Sequence, residues 1–163
     1  MQTLAMPVTF VTAQIETPIG YIEIRGNADG IGAIRFLDEC PEQLYEHEAL
    51  RACTDQLKEY FAGSRKSFHN FPLRFAATTF QEEVWNALMD VPYGEVVTYG
   101  DLAKRSGHAG AARAVGTAMN VNPLAIIIPC HRVVPSNHSI GEYASGAHRK
   151  MWLLEHEAAV SGL

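Results

Sequence analysis

Three segments near the start of the chain, residues 8–15, 20–26 and 31–37, alternate apolar and polar side chains. A period of two places one row of side chains on each face of a strand, so each segment predicts a strand with one face buried. Thr17-Pro18-Ile19-Gly20 supplies a turn between the first and second, and Asn27-Ala28-Asp29-Gly30 a hairpin turn between the second and third. The expectation is a three-stranded antiparallel meander. The period then changes. Pro41 suits the first turn of a helix, and Leu44, Leu50, Cys53, Leu57, Tyr60 and Phe61 fall roughly on one face. Gly63 suits the position just past a helix end, and residues 64–78, with Pro72, read as a linker. Nothing in residues 1–78 suggests chemistry.

From residue 79 onward the apolar spacing is helical. Thr79-Phe80-Gln81-Glu82 fits a capping box, with Phe80, Val84 and Leu88 recurring at intervals of four as far as Asp90. Pro92-Tyr93-Gly94 predicts a turn. Thr98-Tyr99-Gly100-Asp101 opens a second short helix that ends at Gly107, and a third spans 109–120. Two short helices joined by a glycine-containing turn match a helix-turn-helix. The third helix is rich in small residues (Ala111, Ala112, Ala114, Gly116, Ala118), and Arg113 is its only charged side chain. Small residues suit tight packing against a core; they also suit entry into a narrow groove, with Arg113 reaching the base stack. A loop rich in Ser, Asn and Gly follows at 135–146, then a last helix at 147–160 carrying Trp152, Leu153, Leu154, Glu155, His156 and Glu157. The predicted fold class is α+β: a small α/β domain at residues 1–73, then a mainly helical domain at 74–163.

The densest chemistry lies in Ile126-Ile127-Ile128-Pro129-Cys130-His131-Arg132-Val133-Val134. The three isoleucines predict a short buried strand, which Pro129 ends because it has no N–H for a sheet ladder. A thiol at the mouth of such a strand, beside a base and a cation, is how a chain would present a thiolate nucleophile, since positive neighbours lower a thiol pKa. An ordinary buried cysteine is the competing reading; two adjacent basic groups weigh against it.

Composition narrows the setting. The 163 residues are 47% hydrophobic, enough for one ample domain or a small and a medium one. Net charge is −5, so the field of the whole chain does not favour nucleic acid. The imbalance sits mostly in residues 1–73, with ten acids against six bases; residues 74–163 carry eight against seven. A DNA surface is therefore expected in the later half. Three cysteines with no close pair suggest a reducing compartment, and Cys40, His47 and Cys53 match no zinc-ligand spacing. With no signal-peptide pattern and no apolar run of membrane-spanning length, a cytoplasmic protein is expected, with no metal, no cofactor and no membrane partner.

Taken together, these motifs resemble the O6-alkylguanine-DNA alkyltransferases (methylated-DNA–protein-cysteine methyltransferases). The resemblance runs across nearly all of residues 79–163. It rests on Phe80-Gln81, Val84-Trp85, Pro92-Tyr93-Gly94, Thr98-Tyr99, Arg113-Ala114-Val115-Gly116, Asn122-Pro123, Pro129-Cys130-His131-Arg132-Val133, Tyr143, Lys150, Leu153-Leu154 and Glu157. It is weaker in the first half, through Thr17-Pro18-Ile19-Gly20 and the helix end at 56–63. It implies single-turnover repair of O6-alkylguanine, and also of O4-methylthymine, in double-stranded DNA by a monomer. Cys130 would be the nucleophile, His131 its base through a water, Glu157 the acceptor that orients His131, and Asn122 a support for the turn. Tyr99 would help rotate the nucleotide out and protonate the leaving guanine. Arg113 would fill the gap in the stack, with Thr98, Ala111, Ala112, Ala114 and Gly116 on the DNA-binding face. Val133, Tyr143, Ala144 and Ser145 would border the flipped base.

The chain departs from the family's usual loop at three positions. His138, Glu142 and Ser145 stand where glycine is common. The expectation is that O6-methylguanine still reacts while bulky lesions and free benzyl-type bases react less readily. Other readings are a lesion-binding relative without transfer, which would lack the cysteine; a cysteine hydrolase, which would turn over; and a major-groove regulator, which would need more base-reading side chains on 109–120.

Overall fold

The computed structural model describes residues 9–162. The three alternating segments form β1 (Val11–Thr17), β2 (Gly20–Asn27) and β3 (Gly30–Phe36), an antiparallel sheet in the order β1-β2-β3. Residue 8, where the first strand was expected to begin, lies outside the described residues. The register sets Ile15 opposite Ile22, Ile24 opposite Ile34 and Ile22 opposite Phe36, which gathers the apolar row on one face. A bulge at Arg25/Gly26 needs its glycine, since a Cβ there would lie 2.5 Å from the Gly30 carbonyl oxygen.

The helix expected from Pro41 starts ten residues later, as α1 (Arg51–Phe61), preceded by a single 3₁₀ turn at Glu48–Leu50. Gln14 is the reason. Its backbone N–H donates to the Tyr45 carbonyl at 3.0 Å, and its side-chain oxygen accepts from the Tyr45 N–H at 2.9 Å. Tyr45 therefore spends its backbone on β1 rather than on a helical ladder, and Leu44, expected on the apolar stripe, is exposed. The C-terminus of α1 follows the expectation. Gly63 adopts φ +83°, and the N–H groups of Gly63 and Ser64 reach the carbonyls of Tyr60 and Glu59.

The outer edge of β3 is covered by two segments. Ile31 pairs with Pro72 and Arg74 of the linker, while Ile34 accepts from Ala125 and donates to Pro123. This edge brings the residues just before Cys130 against the sheet.

Helix α2 (Thr79–Met89) has a capping box one residue earlier than expected, built by Thr78 and Gln81. Helix α3 (Tyr99–Arg105) is capped by the Thr98 hydroxyl. Helix α4 (Ala112–Asn120) begins three residues late, because Gly107 and Gly110 take φ of +84° and +87° and hold the chain out of the helix. The pair α3–α4 forms the helix-turn-helix. Two short strands, β4 (Val97–Thr98) and β5 (Val133–Val134), pair in parallel beneath it, and α5 (Ala147–Ser161) closes the chain.

Ile126–Ile128 is buried as expected but is not a strand. The backbone folds into tight turns, Ile127 to Ala125 and Ile128 to Leu124, and Ile126 takes φ +73°, rare for a β-branched residue. Asn122 explains this. Its side-chain oxygen accepts from Leu124 N at 2.9 Å and its amide donates to the Ile128 carbonyl at 2.8 Å, so a side chain satisfies groups that a sheet ladder would otherwise need.

Candidate active site

Cys130 begins a single 3₁₀ turn, Cys130–Arg132, which leads into β5. The same Asn122 amide that brackets the preceding turn points at the sulfur, 3.1 Å from Sγ. One side chain thus shapes the backbone and offers the sulfur a hydrogen bond. The sulfur is nearly buried, and burial raises the thiol pKa, against the opposing effects of Asn122, Tyr143 and Lys150. The Tyr143 hydroxyl is buried near the sulfur without a hydrogen bond of ordinary geometry. The adjacent cation expected to lower the thiol pKa does not reach it: Arg132 points to Glu157, and burial raises the pKa instead.

Arg132 turns to Glu157. Its Nε donates to Oε1 at 2.9 Å and its Nη2 to Oε2 at 3.1 Å, while Nη1 donates to the Val91 carbonyl at 2.8 Å. Oε1 also accepts from the Gly94 N–H at 3.1 Å. Oε2 also accepts from Tyr60 Oη and contacts His131 Nε2, both at 2.6 Å. Glu157 is only 1% exposed. Burial alone would push its carboxyl pKa up, but hydrogen bonds and charge from His131 and Arg132 outweigh it and hold the group ionised, well below the usual carboxylate range.

An ionised acceptor assigns the histidine tautomer. The proton in the short contact belongs to His131 Nε2, which leaves Nδ1 as the basic nitrogen. Nδ1 is buried and has no protein partner. Burial lowers the His131 pKa, opposed by Glu157 and assisted by Arg132 and Lys150, so the neutral base is the resting form. Lys150 is itself buried and donates to the carbonyls of Val133 at 2.7 Å and Glu142 at 3.0 Å, tying β5 to the 135–146 loop. Burial pulls its ammonium down to about 8, opposed by Cys130.

On the open side a cleft of about 420 Å³ is lined by Tyr99, Ala112, Arg113, Gly116, Thr117 and Glu142, among others. Tyr99 is half-buried, and burial, then Cys130 and Glu142, raise its pKa. Gly116 faces its ring: a Cβ there would sit 3.8 Å from Tyr99 Cε1. Helix α4 buries Val115, Ala118 and Met119 and leaves Arg113, Ala114, Thr117 and Asn120 exposed, with Ala111 and Ala112 half-buried beside them. Both readings of its small residues hold, on different faces: Ala118 packs inward and Ala114 points out. Ala144 is exposed and Ser145 half-buried; the Ser145 carbonyl accepts from Arg149 at 3.1 Å. Val133 is fully buried. Of the cysteines and histidine weighed for metal, Cys53 is in the core and Cys40 is exposed.

The family profile described as 6-O-methylguanine DNA methyltransferase, DNA binding domain, matches residues 79–159. The companion ribonuclease-like domain of the same methyltransferase matches residues 10–75. A methylated-DNA–protein-cysteine methyltransferase of Methanosarcina acetivorans is 44% identical over 153 residues, covering 90% of this chain and 97% of the relative. The chain belongs to the 6-O-methylguanine DNA methyltransferase family. Another relative of that name, from Mycobacterium bovis, is 40% identical over 88% of this chain and 89% of its own. The crystal structure of Mycobacterium tuberculosis O6-methylguanine methyltransferase superposes with TM-score 0.83 at 38% identity, covering 93% of this chain and 94% of that one. A structure of the same mycobacterial protein in complex with DNA gives TM-score 0.83 at 38% identity, covering 91% and 93%.

Within this methyltransferase fold, Cys130, Asn122, His131, Glu157 and Tyr143 come together, with Tyr99 and Arg113 on the cleft. The roles of three contributors are not legible in the sequence. Tyr60 lay on a stripe that predicted core packing, and it does pack there, but its hydroxyl reaches Glu157 from the half of the chain read as free of chemistry. Arg132 was assigned to the wrong partner. Lys150 had no role assigned. A buried tyrosine needs an acceptor for its hydroxyl, and that was the available signal for Tyr60.

Proposed function

We propose that the protein reverses alkylation damage in DNA directly, moving the alkyl group from O6 of guanine, and from O4 of methylthymine, onto Cys130. The observation that carries this reading is the buried thiol, held by Asn122 in the same turn as a buried histidine whose Nε2 meets Glu157 and whose Nδ1 has no protein partner. The family supports it: relatives that match most of the chain are named methylated-DNA–protein-cysteine methyltransferases, and a mycobacterial homologue was solved with DNA.

The thiol proton passes through a water to His131 Nδ1, and Glu157 stabilises the imidazolium. The sulfur attacks the alkyl carbon from the side opposite O6. The S–C bond forms, the C–O bond breaks, and its electron pair stays on guanine, which takes a proton from Tyr99. The sulfur is now a thioether with no ready leaving group, so each protein reacts once. The target base is inside a duplex, and reaching Cys130 requires its extrusion. Arg113 fills the stack; Thr98, Ala111, Ala112, Ala114 and Gly116 enter the minor groove as an uncharged surface. The backbone of Cys130 and Val133, with Tyr143, Ala144 and Ser145, borders the flipped base. Residues 1–73 support residues 74–163, a division near which the two profile matches break, and the protein acts as a monomer. No described helix is long and apolar enough to cross a membrane.

A lesion binder that transfers nothing is the second reading, and the presence of Cys130 disfavours it. The test is intact-protein mass spectrometry after mixing with a duplex containing one O6-methylguanine. The native chain gains one methyl in place of the thiol hydrogen and then stops; Cys130→Ala gains none. Intact lesion binding without a mass change would replace repair with sensing.

A further inference from the structure

We propose that Tyr60, on α1 in the first half of the chain, is a positioning residue for alkyl transfer: it holds Glu157 so that His131 keeps Nδ1 free for the Cys130 proton. This rests on the direct-repair reading above and extends the reacting centre across the whole chain.

Three observations carry it. The first is which oxygen Tyr60 uses. Tyr60 Oη and His131 Nε2 meet the same atom, Glu157 Oε2, at the same 2.6 Å, with Arg132 Nη2 third at 3.1 Å. Oε1 is taken by Arg132 Nε and the Gly94 N–H, so Tyr60 acts on the oxygen that His131 shares. The second is that Arg132 already supplies the counter-charge, through both carboxylate oxygens. Tyr60 adds no charge, so it adjusts rather than neutralises. The third is that Tyr60 is fastened at both ends to α5. Its hydroxyl donates to Glu157, and its backbone carbonyl contacts His156 Nε2 at 2.8 Å. The ring is fully buried and packs edge-on against Phe61, Tyr93 and His156.

The physical consequence has a sign. A donor on Oε2 withdraws electron density from the oxygen that His131 also uses. With that donor in place, Glu157 attracts the second imidazole proton less strongly, and His131 stays a neutral base to lower pH. Without it, Glu157 Oε2 holds two donors instead of three and draws His131 toward imidazolium, which cannot accept the thiol proton. The other groups facing this pair do not change in the exchange. They are Tyr93 from the turn after α2, Arg132 from the 3₁₀ turn, Tyr143 from the loop before α5 and Lys150 from α5 itself, with Cys130 and His156 next to the pair in sequence.

The experiment is the single-turnover rate of methyl transfer from an O6-methylguanine duplex as a function of pH, for the native chain and Tyr60→Phe. Duplex affinity and melting temperature are measured alongside. Expected is an acid limb displaced upward by about one pH unit, hence a rate about tenfold lower on that limb, with rates converging above it. Duplex affinity is unchanged. A loss of rate uniform across pH would show that Tyr60 only packs, and an unchanged profile would show that it does nothing for transfer; either overturns the proposal. Should the phenylalanine variant not fold, 3-fluorotyrosine placed at position 60 keeps the ring and strengthens the donor. The acid limb must then move down, and no movement overturns the proposal. If the native chain transfers no methyl at any pH, it is the repair reading that fails, and histidine NMR titration of the same two proteins still decides whether Tyr60 sets the His131 pKa.

Discussion

The two sides of Cys130 are built on opposite principles. Behind the sulfur lies a closed polar knot. Glu157 accepts from Arg132, His131, Tyr60 and Gly94, and every one of those donors is drawn from a different stretch of chain or a different atom of the same turn. In front lies the surface of α4, where the exposed residues are small or neutral apart from Arg113. The contrast separates two tasks. Proton transfer requires fixed geometry in a low dielectric, which a satisfied buried network supplies and a half-satisfied one destroys. Close approach to a duplex requires an absence of bulk and of unpaired donors, which alanine and glycine supply at little cost. On the proposed reading, shape rather than charge would admit this face to DNA.

The comparison breaks most severely at Glu157. Glu157→Gln keeps the shape but strands the Arg132 guanidinium, and removing one partner of a buried pair costs about 3–5 kcal/mol. The expected outcome is a large fall in the thermal midpoint together with loss of methyl transfer, checked by calorimetry and the mass assay. Next is Asn122→Ala, which removes the sulfur's donor and both brackets of the turn. A hydrogen bond to a charged group is worth about 1.5–3 kcal/mol, so single-turnover transfer should fall by about ten- to a hundredfold. An unchanged rate would remove Asn122 from the site.

Arg113→Ala tests the other side. Stability should stay within about 0.5 kcal/mol, since the residue is exposed. Affinity for lesion duplex should fall by about tenfold, or ~1.4 kcal/mol, with the rate at saturating DNA reduced as well. If stability dropped and binding did not, the division between the two sides would be misdrawn.

Acid should act on the knot alone. Both His131 and Glu157 have folded pKa values below their ordinary ones. The unfolded chain therefore binds more protons than the folded one as pH falls, and stability falls with it. The His131 contribution is present above its ordinary value of 6.5 and is lost as pH drops through its lowered folded value. The Glu157 contribution follows, lost only below the ordinary carboxylate range. Thermal midpoints should decline from near neutrality downward, and a flat profile would mean that the knot is not the main acid-sensitive element. The smallest effects belong to the loop. Glu142 is exposed at the cleft and Ser145 is half-buried. Replacing either with glycine should raise rates on bulky lesions by less than about tenfold while leaving O6-methylguanine alone. Equal rates on bulky substrates would dismiss the loop as a filter.

Local pattern was a good guide wherever local forces decide. The meander was legible because alternation and turn residues agree, and the end of α1 because Gly63 meets a left-handed requirement. It failed where a side chain takes over backbone hydrogen bonds. Tyr45 was taken from the expected helix by Gln14, 31 residues away. Ile126–Ile128 was taken from the expected strand by a single asparagine. Each failure has the same cause: a backbone hydrogen-bonding group must be satisfied, and a side chain can satisfy it in place of the regular ladder.

The sequence by itself determined the family, the sheet, the helix-turn-helix and the adjacency of a thiol to a histidine, because spacing and residue type are written in order along the chain. Tertiary structure alone decided which group each cation serves, that burial raises the thiol pKa, which imidazole nitrogen is free, and that Tyr60 reaches Glu157 across 97 residues of chain. Those are consequences of burial and of proximity in space, and burial changes the energy of a charge in ways that no ordering of residues displays.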